Sequence, residues 1–378
     1  MDVLEYARDL VAFESTSSLS NVPVCDYVED VLRELGFVTE RLPYRDANGV
    51  DKDNVVGKKG AGRGGMGYFG HVDVVPADPW FTDDFGPFTP TVDGDRLYGR
   101  GSCDMKGSVA CMLAAAGRFS TSELKRPIYI TCTADEETGF GGAAEVARRS
   151  DLFREMVDGE ARGIIGEPTL LEVVHAHKGM GSFTATSYGA AAHSSTREGK
   201  NANLAMIPFL AEMKRIHDEC ESDPAWQDDG FDPPTIGWNI LISDGDPAFN
   251  VKAPKSVCRV SFRPMPGQDW KRLIDRARKA ATQHGLELEA DSCSEPLYTD
   301  PDSPFIREVL ELAGKTSPCT VSYGTDGPAF SAMKYLVVYG PGSIDQAHTH
   351  DEWIALDQLE RGAEAFAALA GHWCTRRP

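Results

Sequence analysis

The chain has 378 residues, 41% hydrophobic and 25% charged, the balance of an ordinary soluble globular protein with length enough for two domains. Lys and Arg number 38 against 58 Asp and Glu, a formal net charge of -20. That balance argues against nucleic acid or an anionic membrane as partner and fits a solubilising surface or a salty habitat.

The N-terminal run MDVLEYARDLVAFES carries acids where a leader would carry a basic patch and an apolar stretch, and no later segment suggests a membrane span. The spacing predicts helices over 3–13 and 23–36, the second stopped by Gly36. Short β-like runs follow: GFVTERL, NVVGKK, MGYFGHVDVV, PIYITCTAD and GIIGEP, with helical stretches at 106–119 and 142–157. Strands alternating with helices predict an α/β layered domain with a largely parallel sheet.

The texture changes after Glu167. HKGMGSFTATSYG (177–189) alternates as a strand, 201–219 is an amphipathic helix, PTIGWNILISDG and SVCRVSFRPM are strands, WKRLIDRARKAATQHG is a helix and LELEA a strand. This β-α-β-β-α-β order is that of a ferredoxin-like split unit. From 292 the α/β texture returns, with helix PFIREVLELAG, strand KYLVVYG and a closing helix over 357–372. The expected organisation is one domain from 1–176 and 292–378 with a second, 177–291, inserted. The nine cysteines are odd in number and lack C-x-x-C spacing, which predicts a reducing compartment, the cytoplasm.

Ionisable residues gather where the predicted strands end, the side on which parallel α/β sheets bind ligands. In FGHVDVV (69–75), His71 and Asp73 stand two apart in a strand pattern and so share a face. An isolated pair of this kind is also how a satisfied buried histidine looks. Asp104 lies in the Gly-rich turn GRGSCDMKG just before a helix, where an aspartate can equally be an N-cap. Glu136 and Glu137 follow the strand YITCTAD, Glu167 closes IIGEP ahead of Pro168, and His348 and His350 stand in DQAHTHDEWI. Imidazoles with carboxylates are a ligand set for zinc, cobalt or manganese. One ion needs three or four such ligands, and the chain offers about twice that. Two ions need a bridging carboxylate, terminal ligands on each and a further carboxylate as base. The set fills those places and leaves Asp73 to hold the His71 ring by a hydrogen bond.

The segments GHVDVVP, YGRGSCDMKG, ADEETG, GEPT, GAAAHSS and AHTHDEW, in that order, resemble the co-catalytic zinc amidohydrolases that include acetylornithine deacetylase, succinyl-diaminopimelate desuccinylase, aminoacylase and glutamate carboxypeptidase. The resemblance implies a zinc-exopeptidase-like catalytic domain with a mixed, largely parallel sheet and an inserted ferredoxin-like lid serving as homodimer interface. It implies two zinc ions per subunit, with cobalt or manganese as substitutes. His71 and Glu167 would hold one, Glu137 and His348 the other, with Asp104 bridging, Glu136 as general base and Asp73 orienting His71. His348 is preferred because the H-x-x-x-E tail aligns with His348 and Glu352; an exchange with His350 stays open. Cys103 reads as packing.

By the same resemblance His193 in GAAAHSSTREGKNAN reaches an active site, in dimeric members that of the neighbouring subunit, as an oxyanion donor. Asn250 and Arg263 resemble substrate-carboxylate binders, the arginine by a bidentate fork. Thr325 and Asp326 in GTDGPAF and Gly342 in YGPGS resemble loops lining the leaving-amine and carboxylate pockets. The implied reaction is hydrolysis of the amide bond of a small N-acylated amino acid with a free carboxylate, by a metal-bridged hydroxide. An acetylornithine-like substrate is favoured on GSCDMKG and the AHSS segment. A succinyl-diaminopimelate substrate is the alternative, then a dipeptide or another carboxypeptidase substrate.

Overall fold

Asp2 opens the first helix: its carboxylate accepts from the Glu5 N–H and the Glu5 carboxylate accepts from the Asp2 N–H, a reciprocal box that satisfies two otherwise orphaned donors. The structure is a computed structural model that describes residues 1–376. Its elements run α1 (Val3–Val11), α2 (Val22–Glu34), β1 (Val38–Arg41), β2 (Tyr44–Arg45), β3 (Asp51–Lys52), β4 (Val55–Lys59), β5 (Met66–His71), β6 (Thr91–Asp93), β7 (Arg96–Tyr98), α3 (Lys106–Gly117), β8 (Ile128–Thr133), α4 (Gly141–Arg149), α5 (Asp151–Asp158), β9 (Arg162–Ile165) and β10 (Val174–His177). There follow β11 (Met180–Tyr188), α6 (Asn203–Ser222), β12 (Asn239–Ser243), β13 (Lys255–Phe262), α7 (Lys271–His284), β14 (Glu287–Ser294) and β15 (Leu297–Tyr298). The chain ends with α8 (Pro304–Ala313), β16 (Cys319–Val321), β17 (Tyr335–Val338), β18 (Trp353–Ala355) and α9 (Leu356–Thr375).

These elements form two compact units. One comprises Met1–His175, Thr299–Cys319 and the chain from Thr325 onward; the other comprises Ala176–Tyr298 and Thr320–Gly324. In the first, the sheet runs β1-β4-β8-β5-β9-β17 and on to β10. Its centre, β8-β5-β9-β17, is parallel and its flanks are antiparallel, so the sheet is mixed as expected. Every residue of β5 (MGYFGH) and β8 (IYITCT) is buried, which explains why these runs are apolar throughout and do not alternate. Helix α3, rich in alanine and buried nearly all round, packs against α1 and α9.

The second unit is an antiparallel sheet in the order β12-β13-β11-β14, with α6 and α7 packed on it. That order, with helices after the first and third strands, is the ferredoxin-like topology the sequence predicts. Its core is aromatic: Trp238 stacks on Phe262 at 5.0 Å between ring centroids, beside Phe183 and Trp270.

Three local readings change. The helix expected over 142–157 is two, because Ser150 takes an extended conformation and its hydroxyl caps α5 by accepting from the Phe153 N–H at 3.0 Å. The strand expected to run through FGHVDVV stops at His71; beyond it Val74 makes only an isolated bridge to Thr16. Strand β14 continues to Ser294 and the second unit to Tyr298, past the junction expected at 291/292. All nine cysteines are free. Among the described residues no helix is long and apolar enough to cross a membrane.

Candidate metal centre

Parallel pairing lines up the carboxyl ends of three strands. Register sets His71 opposite Thr133 and Phe69 opposite Ile165, so His71 ends β5 just where β8 and β9 also end. The chain turns there, which places Glu136 and Glu137 past β8 and Glu167 past β9 on one rim. His71, Glu136 and Glu167 bring their ligand atoms within 4.8 Å of one another, and so do His71, Asp104 and Glu137.

Asp104 arrives from the loop ahead of α3. The bland alternative for it, an N-cap, does not hold: Met105 occupies that position, and no side chain caps the helix. The Asp104 carboxylate is turned instead to two imidazoles, Oδ1 at 3.1 Å from His71 Nε2 and Oδ2 at 3.4 Å from His348 Nε2. Glu167 Oε1 lies 3.7 Å from His71 Nε2, and Glu137 Oε2 lies 2.9 Å from His348 Nε2. The two tight triplets both contain His71, whereas these pairings divide the donors about Asp104. The second division is the chemically sound one, because His71 has only one nitrogen free while a carboxylate has two oxygens to share. His350 is exposed, and its backbone oxygen accepts from Phe81.

The loop carrying Asp104 is anchored by Glu352. Its buried carboxylate accepts from the backbone N–H groups of Gly101 (3.0 Å), Cys103 (2.9 Å) and Asp104 (3.0 Å), and pairs with the buried Arg100 guanidinium at 2.7 Å. This is the physical content of the four-residue spacing between His348 and Glu352: one faces the site and the other fixes the loop opposite. Truncation in Glu352→Ala would leave a buried charge and three N–H groups unpaired. The expected cost is about 3–5 kcal/mol of stability, read as a lower urea midpoint, with metal content falling as Asp104 loses its support.

Electrostatics identify what the site lacks. Burial, with Glu167 and Glu137 nearby, pushes the Glu136 carboxyl well above the ordinary range, against the opposing pull of His71. Burial and Asp104 do the same to Glu167. His348, bonded to Asp104 and Glu137, is raised to about 10. Asp104 itself is lowered, because bonds from the two histidines outweigh its burial. Glu137 Oε1 is buried with no hydrogen-bond partner among the described residues. Packed carboxylates with a spare buried oxygen require positive charge beyond what two imidazoles supply, so the residues fit a pair of divalent cations.

The other expected site residues are placed as follows. Asp73 does not hold His71 through its side chain. His71 Nδ1 lies 2.9 Å from the Asp73 backbone oxygen and 3.7 Å from the nearer carboxylate oxygen. The peptide oxygen of Asp73 takes the ring, and its carboxylate is engaged elsewhere. That carboxylate accepts from Ser17 Oγ (2.7 Å) and from the N–H groups of Glu136 (3.2 Å) and Glu137 (3.4 Å). Thr325 and Asp326 are buried, and Asp326 accepts from Thr133 Oγ1 at 3.2 Å. Gly342 gives its N–H to Gln358, and a Cβ there would meet Cys103 Sγ at 2.7 Å. Cys103 is buried and bonded to the Ser343 backbone oxygen, a packing residue as expected.

His193, Asn250 and Arg263 belong to the second unit. His193 is exposed, its Nδ1 2.7 Å from Ser195 Oγ, and the segment carrying Asn250 runs antiparallel beside it. Sequence reasoning missed Ser17, Lys52, Arg100 and Asp135. Each is a polar residue of ordinary sequence context, and only its burial marks it.

A strand-end rim of two histidines and four carboxylates on a mixed α/β sheet defines a metallohydrolase. The model of peptidase family M20/M25/M40 matches residues 67–372, and the chain belongs to that family, as a metal-dependent hydrolase of amide bonds. Among individual proteins it is similar to an acetylornithine deacetylase of Myxococcus xanthus, 34% identical across 98% of this chain and 97% of that one. An acetylornithine deacetylase of Proteus mirabilis is 33% identical across 98% and 96%. The fold is shared with an M20 family metallo-carboxypeptidase from Sulfolobus solfataricus, TM-score 0.76 at 17% identity, covering 98% of this chain and 99% of that one.

Proposed function

We propose that the protein hydrolyses the amide bond of an N-acylated amino acid with a free α-carboxylate, N-acetylornithine first among the candidates, using two zinc ions per subunit. The observation that carries this reading is the Asp104 carboxylate, whose two oxygens face two different imidazoles while the Glu136 carboxylate stands beside them with no side-chain hydrogen bond among the described residues. His71 and Glu167 would hold one ion, Glu137 and His348 the other, and Asp104 both. When bound, the ions supply Lewis acidity for the acyl carbonyl and for water. Glu136 takes the proton of the attacking water and returns it to the leaving amine. The Asp73 carboxylate keeps Glu136 and Glu137 apart in role by holding both their N–H groups, and its peptide oxygen fixes the tautomer of His71. His193 would donate to the oxyanion, and Asn250 and Arg263 would bind the substrate carboxylate.

The names of the curated relatives support the acetyl group and ornithine. A homodimer would use the edge strand β12 of the second unit, a reading supported by Leu241 and Ile242, which are more than half exposed there. A hydrolysis screen of N-acetyl, N-succinyl and N-formyl amino acids and of dipeptides, with and without added zinc or cobalt, tests the reading. N-acetylornithine is expected to be turned over fastest. A preference for N-succinyl substrates or dipeptides would move the substrate to the alternatives, and failure on all of them by metal-loaded protein would refute the enzymatic role.

A further inference from the structure

The hairpin of β2 and β3 pairs Tyr44 directly across from Lys52. Both side chains reach one carboxylate, that of Asp135. Tyr44 donates its hydroxyl to Oδ2 at 2.6 Å, and Lys52 Nζ lies 2.8 Å from Oδ1. Lys52 is fully buried, and besides this ion pair its ammonium group donates to the backbone oxygens of Ser17 (2.6 Å) and Leu19 (2.8 Å). Asp135 is the residue before Glu136 and has φ +55, a left-handed conformation uncommon for non-glycine residues that aspartate and asparagine tolerate best.

We infer that the Tyr44/Lys52 hairpin is a clamp that positions the Glu136 carboxylate through the Asp135 side chain, making Tyr44, Lys52 and Asp135 positioning residues for the reaction. This rests on the reading of Glu136 as general base. The turn after β8 is gripped at two points. Asp73 holds the N–H groups of Glu136 and Glu137 from within, and the hairpin holds the preceding carboxylate from outside. Lys52 couples the two grips, since it also binds the Ser17 backbone while Ser17 Oγ donates to Asp73. A left-handed residue gripped by one carboxylate is a rotation point. Release it, and the Glu136 carboxylate loses its aim about an N–H that Asp73 still holds, whereas the Glu137 side chain is also held by His348.

The test uses full-length, metal-loaded protein and the fastest substrate of the screen above. Tyr44→Phe removes one grip. The double variant Lys52→Met with Asp135→Asn removes the other as a neutral pair, so that no buried charge is stranded, and asparagine tolerates the left-handed conformation. Each is expected to lower kcat roughly 10- to 100-fold, with KM within about twofold and metal per chain unchanged by elemental analysis. Placed in a Glu136→Gln background, the same changes are expected to cause no further loss. Unchanged kcat, a loss that tracks metal content or the folded fraction, or a full additional loss in the Glu136→Gln background would each overturn the clamp. If Glu136→Gln alone leaves kcat intact, the base assignment has failed and not the hairpin's role.

Discussion

Glu136→Gln is expected to lower kcat by roughly 10²- to 10⁴-fold, the contribution of a positioned general base, while the protein still binds about two metal ions. The reasoning rests on how neighbouring glutamates differ. Glu137 is committed: one oxygen is 2.9 Å from His348, and the other is buried and unpartnered, as a ligand oxygen is before its ion is counted. Glu136 makes no side-chain hydrogen bond among the described residues and sits with His71 and Glu167, so its carboxylate is free to move a proton. Glutamine keeps the shape and cannot accept that proton. Elemental analysis beside steady-state kinetics checks the outcome. Loss of metal with Glu136→Gln, and retention with Glu137→Gln, would reverse the two roles.

The sequence makes the rim legible for a physical reason. His71, Glu136, Glu137 and Glu167 follow apolar strands that are buried on both faces, and an ionisable residue ending such a run stands out. The ferredoxin-like unit is legible because its strands alternate: β11 reads intermediate and buried by turns along MGSFTATS. What stays hidden is of two kinds. Strands of two or three residues, such as β2, β3, β6 and β7, are too short to show a period. The supporting residues are hidden because their work is done by distant backbone. Lys52 binds the oxygens of Ser17 and Leu19, and Glu352 binds the N–H groups of Gly101, Cys103 and Asp104, pairings that no local pattern announces. The Asp73 reading fails on the same ground: a two-residue period presumes a strand, and the strand has ended.

Removing the metal should expose the cost of assembling these carboxylates, and pH sets its size. In the metal-free chain burial raises Glu136, Glu167 and Glu137, while carboxylate partners raise His71, despite its burial, and His348. A group whose folded pKa lies above its unfolded value contributes its full stability at low pH and loses it as pH rises through the folded value. All five therefore act in one direction across the neutral range. Asp104 acts in the other, but only in acid, because its shift is downward from the carboxylate range, and buried Lys106, lowered to about 7, opposes the five as a single group. Chelator-treated protein is thus expected to melt at a lower temperature at about pH 8 than at about pH 6. Metal ions take the place of those protons and need the ligands deprotonated, so the loaded protein follows the opposite trend. The gap between the two forms should widen with pH, reaching on the order of 10 °C when zinc is in large excess over its dissociation constant. Calorimetry of both forms across that range, with zinc added back to the stripped sample, measures it. A metal-free melting temperature that rises with pH, or a gap that narrows, would mean that the rim is not the seat of the ions. The same titration would then direct attention away from Asp104 and its two histidines.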